Sequence, residues 1–281
     1  VSPPNPPADP PADPPADPGA LLEQARAAEA EGWQRLGEAW HLAAAARQRA
    51  AADGLPAGYG VPDHWRIERA LQARHATPHF FSQLGQDWWL AQHVFPGRRD
   101  GFFLDIGGYD GVTGSNTLHF ELYQGWSGML FEPSPVQHGR AAALRRCPCH
   151  RVALGAGEGA APFLLVEAGY TQMSGLERGM VDRHLAVIRS SPHHRERMIQ
   201  VPVRPIAPYL EEAGIRHVDY VSLDVEGAEA EILEGFPFAN VTVSAWSVEN
   251  PYGDPRIPAA MTANGYELKA RIGVDDIYLP A

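Results

Sequence analysis

Cysteine is nearly absent from this chain. Cys147 and Cys149 are the only two, and the single proline between them leaves them too close for an ordinary disulfide. No second cysteine or histidine pair of zinc-site spacing accompanies them, so they read as reduced thiols rather than metal ligands. Long apolar runs are also lacking, and none approaches the ~20 residues needed to cross a bilayer. The amino terminus has no basic-then-apolar signal pattern, which places the expected location in the cytoplasm. Positive charge is scarce: 23 lysines and arginines face 34 acidic residues, for a net charge of −11. That deficit argues against nucleic-acid or anionic-membrane partners, both of which need a positive field. The Gly-x-Gly-x-x-Gly spacing of nicotinamide-binding turns is missing as well.

What is present supports a globular fold. The chain has 281 residues and is 44% hydrophobic, enough for one large α/β domain with additions or two small domains. Residues 6–18 repeat Pro-Pro-Ala-Asp, which favours extended polyproline II, so 1–19 read as a disordered tail. Because the chain starts at Val1, that tail reads as a processed or trimmed end. Residues 20–78 read as an N-terminal helical segment. Leu22, Ala25, Trp33, Leu36, Trp40 and Ala43 form an apolar stripe at helical spacing, which would dock on the main domain or make a homo-oligomer seam.

The organising stretch is Gly101 to Thr117. Phe102 to Ile106 suit a strand buried on both faces, and Gly107, Gly108 and Gly111 break it into a tight turn. Asp105 at the strand end offers a carboxylate to a cationic or hydroxylated group. Met129 to Phe131 form a second strand ending in Glu132, 27 positions after Asp105, a spacing that suits an acid bonding ribose hydroxyls. Further strands are expected over His150 to Leu154, Val218 to Asp224 and Val241 to Val248, with a helix directly from Val225 to Leu233 and a closing hairpin over Gly265 to Leu279. The approach segment Phe80 to Leu90, carrying Gln83, Gln86 and Asp87, is either a pocket wall or an aromatic helix packed on the sheet edge. Between about 155 and 206 lies an irregular insertion, with hairpin strands Ala161–Val166 and Met198–Val203 and three histidines, His184, His193 and His194. An insertion that long reads as a lid, and histidines in so polar a run read as solvated. The order of elements predicts a doubly wound α/β sheet with an antiparallel edge strand.

Asp105, Glu132, Asp224 and Glu249-Asn250 all fall at predicted strand ends, where open α/β sheets bind ligands. Carboxylates gathered on one rim repel, and need a cation, hydrogen-bond donors or protons. Asp224, Glu249 and Asn250 would offer hard oxygen ligands to a magnesium-like ion. The other reading has Asp224 orienting a substrate hydroxyl without metal.

Phe103-Leu-Asp-Ile-Gly-Gly-Tyr-Asp-Gly111 with Ser115-Asn-Thr117, Gly125 to Pro135, Asp219 to Glu229, Ser82 to Asp87 and Gly273 to Tyr278 together resemble the FkbM-type methyltransferases over about residues 80–280. The resemblance implies a class I, Rossmann-like methyltransferase domain over 79–281 that uses S-adenosylmethionine. It implies a small-molecule hydroxyl acceptor such as a sugar, polyketide or other secondary metabolite. On that mapping Asp105 and Gly107 would line the cofactor's amino-acid end, Glu132 would hold its ribose, and Val152 to Leu154, with Ala153 among them, would border the adenine. Gly108, Asp110, Ser115, Asn116, Ser134 and Asp224 would also contact the cofactor. Asp224 and Glu226 would be catalytic, and Asp224, Glu249 and Asn250 would match the metal trio of distant O-methyltransferases. Those enzymes often carry a basic residue where this chain has Gly227, which leaves Glu226 or a lid histidine as base. Two other readings are a non-catalytic assembly protein on the same fold, working through its N-terminal helix, and a nicotinamide-dependent oxidoreductase.

Overall fold

The computed structural model describes residues 80–281, which lie within one compact unit. The Pro-rich tail and the N-terminal helical segment with its tryptophan stripe lie outside the described residues. The first helix, α1, spans Gln86–His93. Asp87 does not face a ligand there; it accepts from Ser82 Oγ and from the N–H groups of Phe81 and Ser82, holding the chain that enters the helix.

β1 (Phe102–Ile106) follows. Its side chains alternate between two cores: Phe103 packs with Phe120, Leu130 and Tyr220 on one face, while Leu104 and Ile106 pack with Phe131, Val221 and Leu223 on the other. This double burial explains why the strand reads as a continuous apolar run. Next come α2 (Leu118–Gln124), β2 (Ser127–Phe131) and α3 (Pro135–Leu144). Proline at the first position of α3 and Ser134, whose side chain accepts from Gln137 N, fix where that helix starts.

The strand expected over His150 to Leu154 is two short strands in different sheets. β3 (Cys149–His150) pairs with β2, whereas β4 (Ala153–Leu154) pairs with a strand of the insertion. The insertion holds β5 (Gly159–Ala168), β6 (Gly175–Leu176), α4 (Asp182–Arg189) and β7 (Arg195–Arg204). β5 and β7 pair antiparallel along most of their length, as the sequence predicts, and a four-stranded sheet of order β4-β7-β5-β6 results.

The main domain resumes with α5 (Ala207–Glu212), β8 (His217–Leu223), α6 (Glu229–Glu234), β9 (Thr242–Glu249), α7 (Arg256–Ala263), β10 (Tyr266–Ile272) and β11 (Asp275–Pro280). α6 begins at Glu229 and not at Val225. Residues 225–228 form a loop because Glu226 takes φ 61 and Gly227 φ 112, neither of them helical. The main sheet has order β10-β11-β9-β8-β1-β2-β3. Five neighbouring strands, β9 to β3 in that order, are parallel, and the terminal hairpin adds the reversed strand β11 one place in from the edge. Strand order reverses at β1, between β2 and β8, so the crevice above β1 is where a ligand is expected. Among the described residues no helix is long and apolar enough to cross a membrane.

Candidate active site

Gly107 opens the crevice. It has φ 86, its N–H donates to Phe131 O at 2.9 Å, and on the other side Asp224 N–H donates to Ile106 O at 3.0 Å. A methyl group on Gly107 would stand 1.6 Å from the Asp224 carbonyl oxygen, so β1 and β8 leave the sheet side by side only because this residue has no side chain. Above the turn lies a cavity of about 430 Å3, a volume typical of small-molecule sites.

On the β2 side, Glu132 is buried and accepts N–H groups from Ser134 at 2.7 Å and Tyr109 at 3.1 Å. Burial pushes its carboxyl up to about 8, against the pull of those two donors. Phe131, Val152, Ala153, Leu154, Phe163 and Leu176 make that end of the cavity apolar. Tyr109, held at φ 48, reaches over to the lid, where its hydroxyl meets Thr171 Oγ1 at 2.6 Å.

Asp105 lines the cavity, but its charge is answered from behind. Arg145 Nη1 lies 3.1 Å from Asp105 Oδ2, and Thr117 Oγ1 donates to the same oxygen. Arg145 also bonds Glu121 and the Gly111 carbonyl, tying the turn to the end of α3. Asn116 differs: its Nδ2 donates to Ser222 Oγ at 3.0 Å, while its buried Oδ1 has no partner among the described residues. An unsatisfied buried acceptor costs roughly 1–3 kcal/mol, and so marks a place for a donor.

The β8 and β9 side is acidic. Asp224, Glu229 and Glu249 bring carboxylate oxygens within 4.8 Å of one another. Burial first, and repulsion among Asp224, Glu226 and Glu229 second, pushes the Glu249 carboxyl far up, and burial with neighbouring carboxylates also raises Asp224. Glu226 is raised by burial and by the same neighbours. Each of these shifts favours the protonated carboxyl, the form in which the repulsion expected on this rim is smallest.

The structure thus gathers Asp105, Gly107, Gly108, Ser115, Asn116, Glu132, Ala153, Asp224, Glu226 and Glu249 around one cavity. Asp110 and Ser134 are not part of its lining. Asp110 bonds Val112 and Thr113 within its own turn, and Ser134 caps α3. Asn250 is not part of the lining: its Oδ1 accepts from Asp254 N at 2.7 Å and its Nδ2 donates to Asp276, while Glu229, which accepts the Val225 and Gly227 N–H groups, brings a carboxylate oxygen close to those of Asp224 and Glu249. His193 is exposed, but His184 is buried, contrary to the solvated reading. Arg145 and Glu229 were missed, and His184 was expected as a solvated residue or a lid base, not as a buried neighbour of Glu226. His184 shares a helical face with the equally buried Ile188 four positions on, which is a signal that the run's polar composition obscured.

A parallel sheet reversing at β1, a reversed strand inside its terminal hairpin and a glycine turn facing an acid at the end of β2 define a Rossmann-like, doubly wound α/β domain. The profile of the FkbM methyltransferase domain matches residues 105–268, and the chain belongs to that family. Among solved structures it is similar to a methyltransferase FkbM from Methylobacillus flagellatus KT, with 12% identity and a TM-score of 0.39, covering 68% of this chain and 47% of that one. The chain therefore spans about half the length of that relative. It is also similar to a TehB-like SAM-dependent methyltransferase from Corynebacterium glutamicum ATCC 13032 Kitasato, with 10% identity and a TM-score of 0.35, covering 78% of this chain and 97% of that one. No curated protein matches the chain. The family implies S-adenosylmethionine as methyl donor. The residues fit it: the orphaned Asn116 Oδ1 suits an ammonium, Glu132 a ribose diol, and the apolar end an adenine ring.

Proposed function

We propose that this protein transfers the methyl group of S-adenosylmethionine to a hydroxyl oxygen of an uncharged small molecule such as a sugar or polyketide. The supporting observation is the composition of the cavity, whose described lining includes Asp105, Glu132, Asp224, Glu226, Glu249 and Asp275 but no lysine, arginine or histidine. Such a wall offers carboxyls to hydroxyl and ammonium groups and no cation to the pyrophosphate of a nicotinamide dinucleotide. It also disfavours phosphorylated acceptors. When bound, the cofactor supplies an electrophilic methyl on a sulfonium. The chain's own part is to hold the acceptor oxygen in line and to receive its proton, for which a carboxyl raised to about 7, as burial raises Asp224, is suited. Asp224 and Glu226 would perform that proton transfer.

Titration calorimetry with S-adenosylmethionine and with NADH, followed by methyl transfer to a panel of hydroxylated acceptors, tests this reading. Micromolar binding of the first alone and a methyl ether product are expected; NADH binding alone would revive the oxidoreductase reading. If neither cofactor binds and no acceptor turns over, the assembly reading takes its place.

Glu132 makes the affinity pH-dependent. Ribose hydroxyls donate to the ionised carboxylate, so binding favours loss of the proton that burial holds up to about pH 8. Cofactor affinity should therefore climb as pH rises from 6 to 9, by at most about tenfold per unit. Glu132→Gln should flatten that slope and weaken binding roughly ten- to a hundredfold, as loss of a charge-assisted hydrogen bond would. An unchanged profile in the variant would remove the assignment.

The acidic cluster favours a second reading, in which a divalent ion such as magnesium sits among Asp224, Glu229 and Glu249. The two occupants, protons and metal, separate by stability. Unfolded carboxyls ionise near pH 4, whereas these are raised, so the folded state binds more protons and stability falls as pH rises through neutrality. The slope approaches about 1.4 kcal/mol per pH unit for each retained proton. A melting temperature that drops between pH 6 and 9 and is restored by magnesium would favour the ion, and the same drop without restoration would favour protons alone.

A further inference from the structure

The insertion does more than cover the cavity: it presses on the loop that carries Glu226. Glu226 is a non-glycine residue at φ 61, a conformation that needs support from its surroundings. Three contacts from the insertion supply it. At Gly175 in β6, an added methyl would stand 3.2 Å from Glu226 Cβ and 3.3 Å from its carbonyl oxygen. Gly179 and Gly227 meet backbone to backbone, so closely that a methyl on Gly227 would lie 2.2 Å from the Gly179 carbonyl oxygen. Above both, the α4 side chain His184 is 3% exposed and places Nε2 at 3.3 Å from Glu226 Oε2. His184 also hydrogen-bonds the Met173 backbone, yet Nε2 has no well-formed hydrogen-bond partner among the described residues. A buried ring nitrogen aimed at a cavity carboxyl is costly to maintain without a use. Arg178 clamps the same segment to α6 through a two-pronged pair with Glu231, at 2.7 and 2.8 Å.

We propose that His184 is a positioning residue for Glu226, so that the docked lid completes the acceptor side of the site by fixing where the Glu226 carboxyl points. The proposal rests on the methyl-transfer reading above. It accounts for a strained loop, two glycines that allow backbone contact and an orphaned nitrogen converging on one side chain. It also assigns the lid helix a part in the chemistry that a mere cover would not have.

The test compares His184→Ala, His184→Gln and Glu226→Gln in the full chain, with calorimetry on S-adenosylmethionine and steady-state kinetics on the best acceptor. His184→Ala is expected to lower kcat roughly tenfold to a hundredfold, the scale of a misplaced reacting group, while cofactor affinity holds. His184→Gln, which can return a polar atom near the Nε2 position, should recover much of that loss. Adding His184→Ala to Glu226→Gln should cost little more than Glu226→Gln alone, because both changes remove one interaction. Retention of kcat in His184→Ala, or losses that multiply in the double variant, would overturn the proposal. If no acceptor turns over, the methyl-transfer reading fails, and nitrogen NMR of labelled histidines decides this proposal by itself. The resonance assigned to His184 through His184→Gln should move in Glu226→Gln, and an unmoved resonance would overturn it. Should His184→Ala not fold, the NMR measurement tests the contact in its place, and losses that multiply when His184→Gln is combined with Glu226→Gln would overturn the proposal.

Discussion

Replacing Gly107 with alanine should unfold the sheet locally and abolish cofactor binding. The new methyl would stand 1.6 Å from the Asp224 carbonyl oxygen and 2.7 Å from its carbon, both of them backbone atoms. No side-chain rotation relieves such a contact, since the two strand ends are held by hydrogen bonds from Gly107 N to Phe131 O and from Asp224 N to Ile106 O. Two costs combine. Alanine at φ 86 is strained by roughly 1–2 kcal/mol, and overpacking against rigid neighbours adds about 1–3 kcal/mol or more. The sum is a large part of the roughly 5–15 kcal/mol that a domain has in hand. Denaturant unfolding should report the loss, and calorimetry should find no binding of S-adenosylmethionine. Gly157→Ala is the control, because a methyl there meets nothing within 4 Å and stability should stay within about 0.5 kcal/mol. Wild-type stability and affinity in Gly107→Ala would show that β1 and β8 do not approach as described.

Asp224→Asn should abolish turnover and leave the cofactor's affinity nearly intact. The strand order places Asp224 on the β8 side of β1, whereas Glu132 and the apolar end lie on the β2 side. The amide keeps the shape of the side chain but cannot accept a proton from an acceptor hydroxyl. A loss of about 10²–10⁴ in kcat is expected, the range of general base catalysis. The same change removes one of several mutually repelling carboxyls, so the variant should melt higher than wild type at pH 8. Retained turnover would end the catalytic assignment. A loss of cofactor affinity equal to the loss of turnover would instead move Asp224 to the cofactor's side of the cavity.

Much of the fold was legible because its signals are local. β1, β2, β8 and β9 are short runs buried on both faces, which produces continuous apolar stretches. Their ends are marked by glycine or a carboxylate, the residues that a ligand crevice requires. The break between β3 and β4 was not legible, since nothing in Arg151-Val152 shows that the chain leaves one sheet for another. Nor was the start of α6, where Val225 to Leu233 has helical composition throughout. Contact with Gly179 holds residues 226 and 227 in positive φ and delays the helix to Glu229.

By itself the sequence determined the family, the glycine turn at Gly107, the acid at Glu132 and the acidic end at Asp224, because each lies within or beside the strand that positions it. Only the tertiary structure decided how the charges are answered. Arg145 reaches Asp105 from 40 positions away, Glu229 comes beside Asp224 and Glu249, and His184 comes down from the insertion onto Glu226. Such pairings depend on which side chains a packed core brings within a few ångströms, and burial makes leaving any of them unanswered costly.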